Sequence, residues 1–389
     1  MVSQKMLSRR ELLAGAGGLA AAALAKGQTQ PAPAAPVAIA RCRAYDKTFD
    51  DALSASLDKI GGIGSLVKGK TVAVKLNLTG NITRYPNRLE LPYRNEPSTV
   101  LSLARQLARA GATRIRLIES FFPAKQDLAL WARYGLDVNA INNVGCKVEW
   151  ENTQNVGQAK QYTRMKVPWG GYIFPAFDLN HSFADCDVYV SLSKLKHHWL
   201  AGVTMTLKNN FGNTPCSLYG GDCGPDGNED PKGERGPVCH NGAATPPKGV
   251  PQELNRESPR EPGYRIPRIV TDLTGVRPVD LAIVDGVESI RGGEGAWNAG
   301  VKSIKPGVIL TGRNAVCTDA VCMAVMGFDP MADRGTPPFE TCDSTLRLAE
   351  DAGIGTRDLH RIEVIGTPIR EAVFDFAAIR KQRRLSSPV

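Results

Sequence analysis

Apolar positions along the chain alternate between two spacings, and the alternation predicts strands and helices in turn. A β-branched run over 37–44 reads as a first strand. Phe49, Leu53, Leu57 and Ile60 then recur at helical spacing and stop at Gly61-Gly62. The same logic predicts a strand over 71–78, a helix from Glu96-Pro97 through Val100, Leu103 and Leu107 to Gly111, and a strand over 115–119. A helix over 128–134 and a strand over 146–150 follow, then a hairpin over 162–174 and a strand over 188–192. Later come a helix over 266–273, strands over 279–284 and 308–310, helices over 314–326 and 344–351, and a strand over 362–365. Strands alternating with helices imply an α/β fold: a mostly parallel sheet flanked by helices, as one body or as two α/β lobes with a cleft between them. The right-handed crossover makes strands 71–78 and 115–119 parallel neighbours, so Lys75, Asn77 and Glu119 emerge at one carboxyl edge.

The chain's densest chemistry lies in 186–213. The apolar run Val188-Tyr189-Val190-Ser191-Leu192 ends in Lys194, Lys196, His197 and His198, and Lys208, Asn209 and Asn210 follow after a small-residue segment. Two of the chain's five histidines sit here. A buried strand that stops at amines and imidazoles reads as the carboxyl end of a sheet strand, where open α/β folds bind ligands. The plainer alternative is a solvated basic loop leading into an amphipathic helix.

Size and charge narrow this further. The 389 residues suffice for a large core, with 42% hydrophobic and 22% charged positions. Ser8-Arg9-Arg10-Glu11-Leu12-Leu13 and the Ala/Gly-rich run after it match a twin-arginine signal over 1–25 with a small-residue cleavage site at Ala23-Leu24-Ala25, then a Pro/Ala linker over 26–36. The expectation is export in the folded state through the twin-arginine translocation machinery to the periplasm or another extracytoplasmic space, with membrane contact through the signal segment alone. An uncleaved anchor is the alternative. Removing 1–25 takes away Lys5, Arg9, Arg10 and Glu11 and lowers the net charge of +9 by two. A mildly basic exported protein points to small anions, and with no recognition motif nucleic acid is not an expected partner.

Nine cysteines, an odd number, leave at least one thiol unpaired; Cys216, Cys223 and Cys239 are the expected disulfide partners within one insertion. That insertion, 213–265, is Gly- and Pro-rich without periodicity, and reads as a lid, a binding loop, a disordered segment or family decoration. The chain proper spans 37–375, with a basic tail over 376–389. Gly64 to Thr71 matches the P-loop spelling, but a helix precedes it and a strand follows, so amides cannot point at a phosphate and the match is rejected.

In order, the chain carries Val74-Lys75-Leu76-Asn77, Lys194-Leu195-Lys196-His197-His198, Leu207-Lys208-Asn209-Asn210-Phe211-Gly212, Ile283-Val284-Asp285-Gly286 and Val316-Cys317-Thr318-Asp319-Ala320. These segments resemble the DUF362 family, a domain of unknown function, whose pattern runs Lys-x-Asn, PKLKTH, LKN..G, IVDG and AVDA. Leu76 and Ser193 stand where that family usually has Pro. Many relatives carry a four-cysteine ferredoxin-like module; this chain lacks the C-x2-C run, so no iron–sulfur cluster is expected. The segment from His198 to Lys208 also resembles the HFFAGYSGGRK site of the lactate racemase family, which uses a nickel-pincer nucleotide attached at the Lys; Met205-Thr206 replaces its Gly-Gly.

The expected roles are as follows. His198 acts as general base or metal ligand, and Lys208, with Lys196, as the catalytic amine. Lys75, Asn77, Lys194 and Asn209 hold an anionic substrate or cofactor. Asp285 and Asp319 join His198 around a divalent metal ion, or Asp285 marks a turn and Asp319 caps a loop. The chain is then a metal- or cofactor-dependent enzyme acting on a small anionic substrate, or a non-catalytic periplasmic protein that binds a metal or an anion.

Overall fold

A computed structural model describes residues 30–80, 90–121, 128–153, 162–225, 227 and 233–376. The expected signal segment 1–25, the first four residues of the linker and nearly all of the basic tail lie outside the described residues.

Eight strands form one sheet. From edge to edge its order is Val364–Gly366, Val37–Arg41, Val308–Gly312, Leu281–Gly286, Val188–Lys194, Thr71–Lys75, Arg114–Glu119 and Lys147–Asn152. Seven strands run parallel, and Val308–Gly312 alone pairs antiparallel with both its neighbours. One continuous sheet removes the two-lobe alternative. The strands read as apolar runs because both faces are covered. In strand Val188–Lys194, Val188, Val190 and Leu192 face one core with helices Thr48–Lys59 and Pro97–Arg109, while Tyr189 faces the other with helices Pro262–Val276 and Ala315–Val325.

Local sequence sets the boundaries. Helix Pro97–Arg109 begins at Glu96, whose carboxylate accepts from the Ser98 amide at 2.6 Å, with Pro97 in the first turn, and it buries Val100, Leu103, Ala104 and Leu107. Residues Gly64–Val67 form one helical turn before strand Thr71–Lys75, as the rejected P-loop match requires. The hairpin is displaced from its expected range: Tyr162–Lys166 pairs with Ala176–Asn180, because Pro168, Gly170, Gly171 and Pro175 occupy the turn rather than the second strand. All nine cysteines are free, so the disulfide among Cys216, Cys223 and Cys239 is not formed; the Cys223 thiol instead donates to the Cys216 carbonyl at 2.8 Å. No helix among the described residues is long and apolar enough to cross a membrane.

The short helix Met205–Asn209 underlies the site and has an unusual start. Met205 has φ +39°, a left-handed conformation uncommon outside glycine, and Thr204 offers no side-chain cap. The cap comes from another helix: Asp319 Oδ1 and Oδ2 accept from the amides of Thr206 and Leu207 at 2.9 and 2.8 Å. Burial outweighs these bonds and raises the Asp319 carboxyl to about 7. Between its ordinary value and about 7 the folded chain holds this proton more tightly than the unfolded chain. Asp319 therefore contributes stability at low pH that is lost as pH rises through about 7. Asp319→Ala is expected to cost about 2 kcal/mol in denaturant unfolding at pH 6. Asp319→Asn should flatten the loss of stability between pH 5 and 8.

Candidate functional site

The chain leaves strand Thr71–Lys75, builds outward through Arg114–Glu119 and Lys147–Asn152, and returns to Val188–Lys194 on the opposite side of Thr71–Lys75. This reversal is a topological switch point, and a crevice opens beyond the carboxyl ends of the strands beside it. A pocket of about 580 Å³ of empty space, part of it open to solvent, lies there, and Lys75, Asn77, Lys196, His198, Lys208 and Asn209 all line it. Six of the expected site residues are thus brought together.

Each is held by its own element. Lys75 ends its strand buried, its ammonium 2.6 Å from Glu119 Oε1 on the neighbouring strand and 2.6 Å from the Leu76 carbonyl. Burial lowers its pKa, while Glu119 opposes that shift. Glu119 also accepts the amides of Leu78 and Ser120 at 2.6 and 2.7 Å, so one carboxylate fixes the loops leaving two strands. Gly212 packs against this pair; a Cβ there would stand 2.9 Å from Lys75 Nζ. Asn209 donates to Ser191 Oγ at 3.0 Å and accepts from Asn77 Nδ2 at 3.0 Å, while the buried Asn77 Oδ1 has no hydrogen-bond partner among the described residues.

After Lys194 a two-residue hairpin, His197–His198 against Gly202–Val203, alternates its side chains. His197 packs on Phe328 and Phe376 in the core, and His198 reaches the pocket. Gly202, at φ +73°, permits this turn, since a Cβ would come 2.6 Å from the Phe339 ring. His198 Nδ1 accepts the Leu200 amide at 3.2 Å, so the neutral ring carries its proton on Nε2. Burial, then Lys208, His240 and Lys196, holds its pKa well below the ordinary histidine value. Lys196 is buried with its ammonium on the carbonyls of Tyr93 and Glu294, at 2.6 and 3.0 Å, and burial holds its pKa well down.

Lys208 differs from the other amines. Its ammonium stands 4.1 Å from the centroid of Phe211, and among the described residues it has no ion pair. Burial, then Arg235, lowers it to about 7. Arg235 lies over the same ring at 5.3 Å and donates to Ser120 Oγ and the Thr214 carbonyl at 2.8 and 2.9 Å. It arrives on the 213–265 insertion and is that insertion's contribution to the pocket lining. The second pocket carboxylate, Glu294, is bonded to the Trp199 amide and to Trp297 Nε1 at 2.9 and 2.6 Å.

Three expected site residues go elsewhere. Asp285 is the register partner of Lys194, and the two form a buried ion pair at 3.0 Å, with Tyr45 donating to Asp285 Oδ1 at 2.6 Å. Burial and Asp285 push the Tyr45 phenol far up, so it stays a donor. Cross-strand register thus commits both charges to each other, and neither lines the pocket. Asp319 serves as the helix cap described above. The expected metal ligands His198, Asp285 and Asp319 therefore do not converge, and no group of three or more His, Cys, Asp or Glu among the described residues is arranged to hold a metal ion. A histidine that ligates through Nε2 keeps its proton on Nδ1 and donates it, the reverse of the bond made by His198.

Arg235, Glu294 and Trp297 were not among the expected site residues. Arg235 sits in an aperiodic insertion, which carries no pattern to mark it. Glu294 sits between Gly293 and Gly295, where a Cβ would come 2.5 Å from Asn298 and 2.3 Å from the Trp297 ring, a crowding that the glycines alone do not reveal.

A family model described as "Domain of unknown function (DUF362)" matches residues 72–324, from the second residue of strand Thr71–Lys75 to the last turn of helix Ala315–Val325. No curated protein matches the chain.

Removing one member of a buried pair leaves an uncompensated charge. Lys75→Met is expected to destabilise the protein by about 3 kcal/mol in urea unfolding, and Lys75→Met with Glu119→Gln to recover more than half of that loss.

Proposed function

Because the chain belongs to the DUF362 family, a domain of unknown function, we propose from its own pocket that it is an enzyme acting on a small organic anion, with Lys208 as the working amine. The observation that carries this is the charge left over in the pocket. Lys208 and Arg235 both line it without a carboxylate partner among the described residues, while its two carboxylates are already engaged. Partly desolvated cations without counter-ions attract an anion more strongly than the same groups in water. Lys75 and Lys196 are bonded within the protein and are not free to move. Asn77 Oδ1 adds an acceptor for a ligand hydroxyl or N–H. Near pH 7 the Lys208 amine is divided between its neutral and charged forms, which suits it to acid–base or nucleophilic work.

A second reading, a non-catalytic binding protein, is favoured by the rigidity of the surround, where most pocket polar groups are fixed by internal bonds. It needs the same anion affinity but no chemistry at Lys208. The Arg9-Arg10 segment supports export of the folded chain; Arg9→Lys with Arg10→Lys is expected to leave the protein in the cytoplasm on fractionation.

Anion binding itself is measured by calorimetry with oxalate and inorganic phosphate. Arg235→Gln is expected to weaken binding about tenfold, the loss of one charge-assisted contact. Affinity should fall as pH rises from 6 to 8, because Lys208 loses its positive charge, and Lys208→Met should flatten that slope. No binding by any small anion at low salt would remove the proposal.

A further inference from the structure

We propose that the ligand carries a carbonyl group beside its negative charge, as in a 2-oxo acid, and that Lys208 condenses with that carbonyl to form an imine. This rests on the anion-binding reading above and specifies which anion, and which of the two tasks, the amine serves.

Electrostatics separates the two tasks. A base that takes a proton becomes an ammonium, and the groups acting on Lys208 make that costly. Arg235 and Lys75 oppose a positive charge there, Glu294 and Cys239 favour it, and His198 and His240 stand by in their neutral forms. Burial, the largest influence, also opposes the charge. Condensation with a carbonyl instead leaves a neutral nitrogen in place of an amine, so the cations around it do not resist the product. Arg235, which has no carboxylate partner among the described residues, is the cation left for the ligand's carboxylate. A lysine desolvated beside another cation is a recurrent way to obtain a nucleophilic amine at neutral pH.

The surroundings fit the intermediate. The Phe211 face supports the amine, and among the described residues no oxygen acceptor has to be displaced from it. The buried Asn77 Oδ1, unpartnered and lining the same pocket, can accept from the hydroxyl that the carbonyl oxygen becomes.

The atoms balance without a further reactant. The nitrogen lone pair forms the C–N bond as the carbonyl π pair moves to oxygen, which takes one proton from the amine. The carbinolamine then loses that hydroxyl with the second amine proton as water, and C=N closes. Nothing is oxidised or reduced.

The test treats the intact protein at pH 7 with glyoxylate and sodium cyanoborohydride and maps the adduct by peptide mass spectrometry, with oxalate binding measured in parallel. The expected result is one reductively fixed adduct per chain, on the peptide bearing Lys208, at least tenfold above the average of the other lysines. Oxalate should protect this site in the unmutated protein, so the outcome does not depend on a variant that folds. Propionaldehyde, which lacks the charge, should label Lys208 about tenfold less. Oxalate binding without a Lys208 adduct overturns the imine and leaves the anion-binding reading standing. Loss of both overturns both, and labelling spread evenly over the lysines overturns the imine.

Discussion

The site hangs on a buried ion pair, Lys75 with Glu119, joining the carboxyl ends of two adjacent parallel strands. Neither charge is there for stability alone, since a pair of apolar side chains of equal size would serve the fold as well or better. What the pair supplies is position. Glu119 takes the Leu78 and Ser120 amides as well as the ammonium, so the backbone leaving each strand has one course. Asn77 follows two residues after Lys75 and bonds Asn209, which in turn holds Ser191 Oγ, and through that chain of contacts the helix bearing Lys208 is set against the sheet. Gly212 has no side chain because Lys75 occupies the space.

From this follows a division of labour among the site's amines. Lys75 and Lys194 each meet a carboxylate, Glu119 and Asp285, and Lys196 meets two carbonyls. Lys208 meets an aromatic face. Four lysines that look alike in composition thus divide into three with oxygen partners and one, Lys208, with none among the described residues.

The sequence was most legible where periodicity is strong. The strands and the long helices fall within a few residues of their expected bounds, because apolar spacing and glycine stops are local signals. The site was half legible: the burst of amines and imidazoles after Leu192 located the sheet edge, and of its four residues Lys196 and His198 line the pocket while Lys194 and His197 turn away from it. The metal triad failed for a reason that no local reading contains. Asp285 lies opposite Lys194 only once two distant strands adopt their register, and Asp319 looks like a ligand until a helix 112 residues earlier in sequence needs its amides capped. Arg235 and the cysteines show the same limit, since an insertion without periodicity gives no hint of which residues it presents inward.

That insertion has one more consequence. The sheet edge contributes Lys75 and the helix beside it Lys208, and both are tied to the scaffold by packing. Arg235 reaches the pocket on the aperiodic segment, yet it too is fixed, donating to Ser120 Oγ just past strand Arg114–Glu119 and lying over the Phe211 ring. One guanidinium thus couples an insertion without periodicity to the sheet edge and to the ring beside Lys208. On the proposed function, a change at residue 235 would alter the charge of the pocket and the anchoring of its wall together.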